Sequence, residues 1–500
     1  MAFELSSEEV VVGRSEEDIK KYGKKGTGLL AKVVMSSGEN PVLGRKILVD
    51  LAKPHVVLIS GKRGSGKCLT GETEIQLDDG SVAKIKDLAK INKKIIAMNS
   101  KFKLEQNNKT QFYERTINKT IILKSRTGRE IELTPKHPLY TINGWVEAQK
   151  LKKGSRIATP RILPYFGKEQ LEQHKVKLLA YLIAEGHTMN NMVWFTNADK
   201  KIIKEYSDCI TKFDKNLTLK PIGITLRAVN TNFTRKILKN NRKGNLFAKG
   251  IKFTPQNSLK EWLKKVTAFG KFAKEKDIPK IIYKLPKTEL VIFLNRLFSC
   301  DGSIYKHGRF YQIDYSSASK KLITQVQSLL LKFGVISILR NRTIKYNNKI
   351  FKAYELIISG EFVKTFIEEI GFFGEKEKKA KFALKKEKKA KFNPNIDTIP
   401  KELWNNYKFK SSWVEIGKAL GYKVSKSSKE LKKYSISRTK LEKIAKQEKS
   451  EYLMNLAKSD ILWDEIIELK TINKKQKVYD IEVLENHNFV ANNIIVHNSY

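Results

Sequence analysis

Apolar and polar residues change their spacing several times along this chain, and each change marks a different kind of element. Residues 72–88, ETEIQL-DDG-SVAKIKDL, alternate about an Asp-Gly pair, the pattern of two half-buried strands joined by a tight turn. IILKSR-TG-REIEL (121–133) repeats that pattern, and DEIIELKTI (464–472) and KVYDIEVL (477–484) add further short strands near the far end. Between them the spacing becomes helical. KLLAYLIAEGHT (177–188) and FLNRLFSCDGSIY (293–305) predict apolar helices, and KKLITQVQSLLLKFGV (320–335) an amphipathic one. WVEIGKALGYK and SISRTKLEKIAKQ, within 401–450, predict two or three short helices punctuated at Gly421 and Ser437. A multidomain chain is expected, with β-rich pieces on both sides of a mixed α+β middle.

Composition narrows the class. Five hundred residues allow about three domains at roughly 150 each, and 41% apolar residues mark a folded chain. Lys and Arg outnumber Asp and Glu by 97 to 52, a net charge of +45, which points to a polyanionic partner such as nucleic acid. Three cysteines (Cys68, Cys209, Cys300) are too few for a secreted disulfide framework, so a cytoplasmic setting is expected. The opening MAFELSSEEVVV lacks a basic, apolar leader, and no apolar run approaches the length of a membrane span.

HVVLIS followed by Gly61-Lys62-Arg63-Gly64-Ser65-Gly66-Lys67 reads as the strand and phosphate-binding loop of an ATPase. Gly61, Gly64 and Gly66 free the backbone to wrap the phosphates of ATP, and Lys67 reaches them. A hydroxyl ligand for Mg²⁺ must follow, yet the next residue is Cys68, a soft ligand ill matched to that ion. The far end repairs the loop. Joining Lys67 to Ser499 gives GKRGSGKSY, a complete motif in which Ser499 supplies the hydroxyl.

The residues needed for excising 68–498 stand at both junctions, and here the chain resembles the inteins, self-splicing elements built on the Hint domain. CLTGETEIQLDDG begins with the nucleophile Cys68, TPKHPLYT carries a Thr-x-x-His pair, Thr134 and His137, and VYDIEVLENHNFVANNIIVHNS closes the element. The resemblance implies that Cys68 attacks the Lys67 carbonyl to form a thioester while Thr134 and His137 assist as oxygen contact and general acid. Ser499 then takes the acyl group, and Asn498 cyclises on its own carbonyl, polarised by His497. By the same match Asp480 assists branching, and His487 helps activate Asn498. Of seven histidines, three fall on these positions, which separates the pattern from scattered core histidines. The family fold is an all-β, horseshoe-shaped Hint domain, here split into 68–165 and 455–498.

The middle, 166–395, resembles the LAGLIDADG homing endonucleases. Each apolar helix ends in a carboxylate and a glycine, Glu185-Gly186 and Asp301-Gly302. In that family such carboxylates hold Mg²⁺ at the phosphodiesters of double-stranded DNA. Glu185 stands where Asp is usual, and Asn295 and Arg296 where small residues are commoner. An internal repeat agrees: FTNADKKII (195–203) and YSSASKKLI (315–323) each follow a strand-like run and open a helix. A monomeric endonuclease is implied. EKKAKFALKKEKKAKF (377–392) predicts a basic helix or linker, and 396–454 a helical module, a helix-turn-helix or a spacer.

Residues 1–67 and 499–500 remain as flanking host sequence, too short for a nucleotide-binding domain. GTGLLAKVVMSSGENPVLGRKILVDLAKPHVVLISGKRGSGKSY resembles the start of the HerA and FtsK group of hexameric DNA-translocating ATPases, an α/β P-loop fold. The competing reading is a basic nucleic-acid-binding ATPase whose insertion does not splice.

Overall fold

The computed structural model describes residues 9–36, 42–51, 67–189, 192–230, 257–346, 349–387, 394, 396–422 and 433–498. The chain divides into two compact units, Met1–Arg63 and Gly64–Tyr500. In the first, strand Val42–Asp50 lies between Val10–Val12, parallel to it, and Thr27–Ser36, antiparallel. Helix Glu16–Tyr22 is capped by Ser15, with acids in its first turn and lysines in its last, as the helix dipole favours. Gly61, Gly64 and Gly66 lie outside the described residues.

The second unit brings together segments more than 300 positions apart. One sheet runs in the order Arg156–Pro160, Ile461–Val483, Leu69–Thr70, Glu130–Leu133, Lys109–Ser125. The other runs Gly144–Glu147, Pro138–Thr141, Ile494–His497, Asn488–Ala491, Glu74–Gln76, Val82–Lys84. Leu69, Ile75, Leu123, Leu133, Leu139, Phe489 and Val496 form a fully buried core shared by the two. Both Asp-Gly and Thr-Gly hairpins form where the alternation places them, although 85–90 winds into a 3₁₀ turn.

The two short strands expected at 464–472 and 477–484 are one strand, Ile461–Val483, pairing with Lys109–Ser125 through irregularities near Asn473–Gln476. Its middle is largely exposed, with no buried face to impose a two-residue period, so alternation there says little.

The intervening region consists of two halves with one topology. Helix Gln173–Glu185 leads into a sheet ordered Gly186–His187, Trp194–Thr196, Thr225–Asn230, Leu217–Ile222, backed by helix Lys200–Phe213. Helix Lys287–Asp301 leads into Gly302–His307, Phe310–Ser317, Lys349–Ile358, Ile338–Tyr346, backed by helix Lys320–Leu331. The equivalent caps Asp199 and Ser319 each accept a backbone N–H at the start of the backing helix. The helices Gln173–Glu185 and Lys287–Asp301 pack against each other.

Glu375–Glu387 is a helix, one of the two alternatives for the lysine-rich segment 377–392, of which 388–392 lie outside the described residues. Beyond it, helices Leu403–Asn406, Trp413–Ala419, Arg438–Glu448 and Glu451–Ala457 close around Leu441, Ile444 and Leu453. Buried Asp397 ties this region to the first sheet by accepting from both Arg161 and Arg438 at 2.6 Å.

Candidate active site

Strand register builds the site. Leu133 pairs with Leu69, so the next step sets Thr134 against Cys68. The Cys68 amide donates to Thr134 Oγ1 at 2.9 Å, and the Thr134 amide returns a bond to the Cys68 carbonyl at 3.0 Å. On the other edge of Cys68's strand, Tyr479 pairs with Leu69, so Asp480 falls opposite Cys68. Both side chains are buried. Burial first, and then the Asp480 charge, push the Cys68 thiol up to about 11, while Arg115 pulls it the other way.

The second sheet brings in the far junction. Asn488 pairs with His497, so His487 falls opposite Asn498, whose amide donates to the His487 carbonyl at 3.1 Å. The hairpin carrying this junction turns on Asn492 and Asn493, both at positive φ, which asparagine tolerates better than most residues. Asn492 also fastens the turn, accepting from the Glu74 amide at 2.8 Å and donating to the Glu130 carbonyl at 3.0 Å. Leu139 pairs with Val496, so the Thr134–His137 turn runs from one junction to the other.

His137 is fully buried, and its ring faces the backbone of both Cys68 and His497. Burial, with the nearby His497 and Lys67, pulls its imidazole down to about 3, so the ring rests neutral. Asn498 is fully buried, and its side-chain nitrogen donates to the Val483 carbonyl at 3.2 Å. His497 Nδ1 lies 2.6 Å from the Asn498 carbonyl oxygen. A carbonyl only accepts, so Nδ1 carries the proton. Trp145 meets the His497 ring edge-on at 4.7 Å and holds its plane. A cleft of about 480 Å³ opens beside the junctions, lined by Lys67, Lys136, Trp145, Glu147, Lys150 and His497. Ser499 lies outside the described residues.

The model of the intein splicing domain matches residues 75–498. This chain belongs to the intein splicing family. The intein is 30% identical over 459 residues to the replicative DNA helicase DnaB of Synechocystis, covering 88% of this chain and 50% of that protein. The figures for DnaB of Rhodothermus marinus are 28%, 88% and 46%. For the replication factor C small subunit of Methanocaldococcus jannaschii they are 29%, 72% and 19%. The chain thus spans about half, or less, of the curated relatives it matches. Among solved structures, a DnaB intein from Synechocystis is 33% identical over 19% of this chain and 69% of that one, with a TM-score of 0.18.

Within this intein the two apolar helices bring Glu185 and Asp301 together at their C-terminal ends. Burial first, and then the Glu185 charge, raise the Asp301 carboxyl to about 7, and burial raises Glu185 as well. Neither following glycine leaves room for a side chain. A Cβ on Gly186 would stand 2.4 Å from the Leu182 carbonyl oxygen, and one on Gly302 2.6 Å from that of Phe298.

Two lysines that spacing gave no reason to single out complete this centre. Lys276 donates to the Ala184 and Gly186 carbonyls at 3.0 Å, and Lys376 to those of Ser299 and Cys300 at 2.6 and 2.7 Å. One ammonium thus closes each helix end, and both act on the two carboxylates. The only signal in the sequence was a basic residue at some distance after each motif, one of many. No group of three or more His, Cys, Asp or Glu able to hold a metal occurs among the described residues. Paired hard carboxylates, crowded by like charge, suit Mg²⁺, which leaves further positions to water and phosphate.

Proposed function

We propose that residues 68–498 excise themselves and join Lys67 to Ser499. The observation that carries this reading is that a single turn, Thr134–His137, touches both junctions. Cys68 gives its thiol proton to Asp480 and attacks the Lys67 carbonyl carbon. The Lys67–Cys68 C–N bond breaks, and the nitrogen, held by Thr134, takes up a proton. His137 delivers it: the ring, neutral at rest, takes up a proton as negative charge develops beside it and passes it to the nitrogen. Asp480 meanwhile releases the proton it received from the thiol, so that one proton is lost from sulfur and one gained by nitrogen. Ser499 Oγ takes the acyl group as the S–C bond to Cys68 breaks, and the hydroxyl proton returns to the Cys68 sulfur. The side-chain nitrogen of Asn498 then attacks its own main-chain carbonyl carbon, which the Nδ1 proton of His497 polarises with help from His487. The Asn498–Ser499 C–N bond breaks to free the Ser499 amine, onto which the acyl group moves from Oγ. Alanine at Cys68 removes the thioester and all ligated product but leaves cleavage after Asn498; persistence of ligation in that variant refutes the assignment.

The middle of the intein is proposed to be a LAGLIDADG endonuclease cutting double-stranded DNA of the uninterrupted host gene. Glu185 and Asp301 would hold Mg²⁺, which would neutralise charge at the scissile phosphates when bound. Lys276 and Lys376 keep the helix ends in place and oppose the repulsion between the carboxylates. The spliced host is proposed to be an ATPase that works on DNA, of the HerA and FtsK group. Its completed phosphate loop would bind ATP and Mg²⁺ through Gly61, Gly64, Gly66, Lys67 and Ser499. The named activities of the DnaB and replication factor relatives, a replicative helicase and a replication factor, agree with that class of host.

A further inference from the structure

One charged group beside Cys68 has no part in the splicing steps above. Val478 pairs with Thr70 on one edge of its strand and with Arg115 on the other. Residues two apart share a face of a sheet, so Cys68, Thr70, Val478, Asp480 and Arg115 all lie on one face of three neighbouring strands. Arg115 is one row away from Cys68 and Asp480, near enough for its charge to act on the thiol. Val478, Asp480 and Cys68 are buried, so little water is left to solvate a charge there. The charged groups facing the thiol are Asp480, which opposes a thiolate, and Arg115, which favours one.

We propose that Arg115 is the cation that steadies the Cys68 thiolate and so sets the rate of the first acyl transfer. The inference rests on Cys68 being the attacking nucleophile. In that step the thiol proton leaves for Asp480, and the S–C bond to Lys67 forms as the C–N bond breaks. The nitrogen ends as an amine carrying one proton more, so the thiol proton is balanced. Arg115 takes no proton. It lowers the energy of the state in which sulfur bears the charge, as a guanidinium does for any buried anion it can reach.

The test uses residues 1–500 carrying Asn498→Ala, with hydroxylamine as the probe that cleaves after Lys67 once the acyl group has left nitrogen. Arg115→Met is expected to slow this cleavage about tenfold, the equivalent of one pKa unit. Arg115→Lys restores at least half of the lost rate, and cleavage after Asn498, followed in a Cys68→Ala chain, stays within twofold. An unchanged rate in Arg115→Met, no recovery with lysine, or an equal loss at both junctions overturns the proposal.

Failure of the parent chain to react with hydroxylamine would instead count against the splicing chemistry itself. Arg115 is then judged on the Cys68 thiol directly, from ¹³Cβ-cysteine NMR with Cys209→Ser and Cys300→Ser assigning the signals. Arg115→Met should cut the thiolate fraction at pH 10 about tenfold. An unchanged fraction overturns the proposal whether or not the chain splices.

Discussion

His137 couples the acid behaviour of the fold to its chemistry. Its folded value, about 3, lies below the ordinary histidine value near 6.5, so the unfolded chain binds the extra proton between those limits. The stability that the neutral buried ring allows is therefore complete above about pH 6.5 and is lost as pH falls towards 3. The loss approaches roughly 1.4 kcal/mol per pH unit at its steepest. Urea unfolding of a Cys68→Ala/Asn498→Ala chain should show this slope, and His137→Phe should flatten it. An equally steep slope in both would assign the acid sensitivity elsewhere. Lys276 and Lys376 offer a second test at this scale. Methionine at either strips two helix-end carbonyls of a donor and moves a cation away from Glu185 and Asp301. Cleavage of the uninterrupted host-gene DNA should fall at least tenfold with each, and full activity would exclude them from the centre.

The elements explain which parts of the site the sequence announced. Acyl transfer demands particular residue types at the two ends of the excised segment, so Cys68, His497 and Asn498 could be read directly. Thr134, His137, Asp480 and His487 came from resemblance, and strand register supplies the physical reason for their positions. The two hairpins and the paired helices were legible because each has a buried face that enforces a period. The ribbon joining Ile461–Val483 to Lys109–Ser125 was not, since its exposed middle enforces none. Arg115, Lys276 and Lys376 were invisible for a related reason. Each acts on a partner brought close by the fold, and nothing local separates it from the other lysines and arginines. The helix-end glycines carry a prediction at this scale. Gly186→Ala or Gly302→Ala drives a methyl into backbone and should destabilise by about 1–3 kcal/mol, seen in urea midpoints. Stability equal to the parent's would mean the helix end relaxes without strain.

At the scale of the whole molecule, the splicing sheets and the intervening halves share backbone contacts as well as charge. Lys332, buried in the second half, donates to the Gly80 and Tyr283 carbonyls at 2.8 and 3.1 Å, and the Leu339 amide donates to Thr127 at 3.0 Å. The middle region is thus fastened to the turns of the splicing hairpins. A surplus of 45 positive charges should make DNA affinity strongly salt-dependent. Between 50 and 200 mM salt, binding of the host-gene duplex should weaken by about a thousandfold or more, measured by fluorescence anisotropy. A shallow dependence would contradict a phosphate-tracking surface.

The most direct test of splicing is the intact mass of the products of residues 1–500, expressed between two unrelated tags and sampled over time. The account predicts a free protein of residues 68–498 and a ligated product running through Lys67–Ser499, both absent in Cys68→Ala/Asn498→Ala. Persistence of the full-length chain alone, under reducing conditions and at several temperatures, would contradict it.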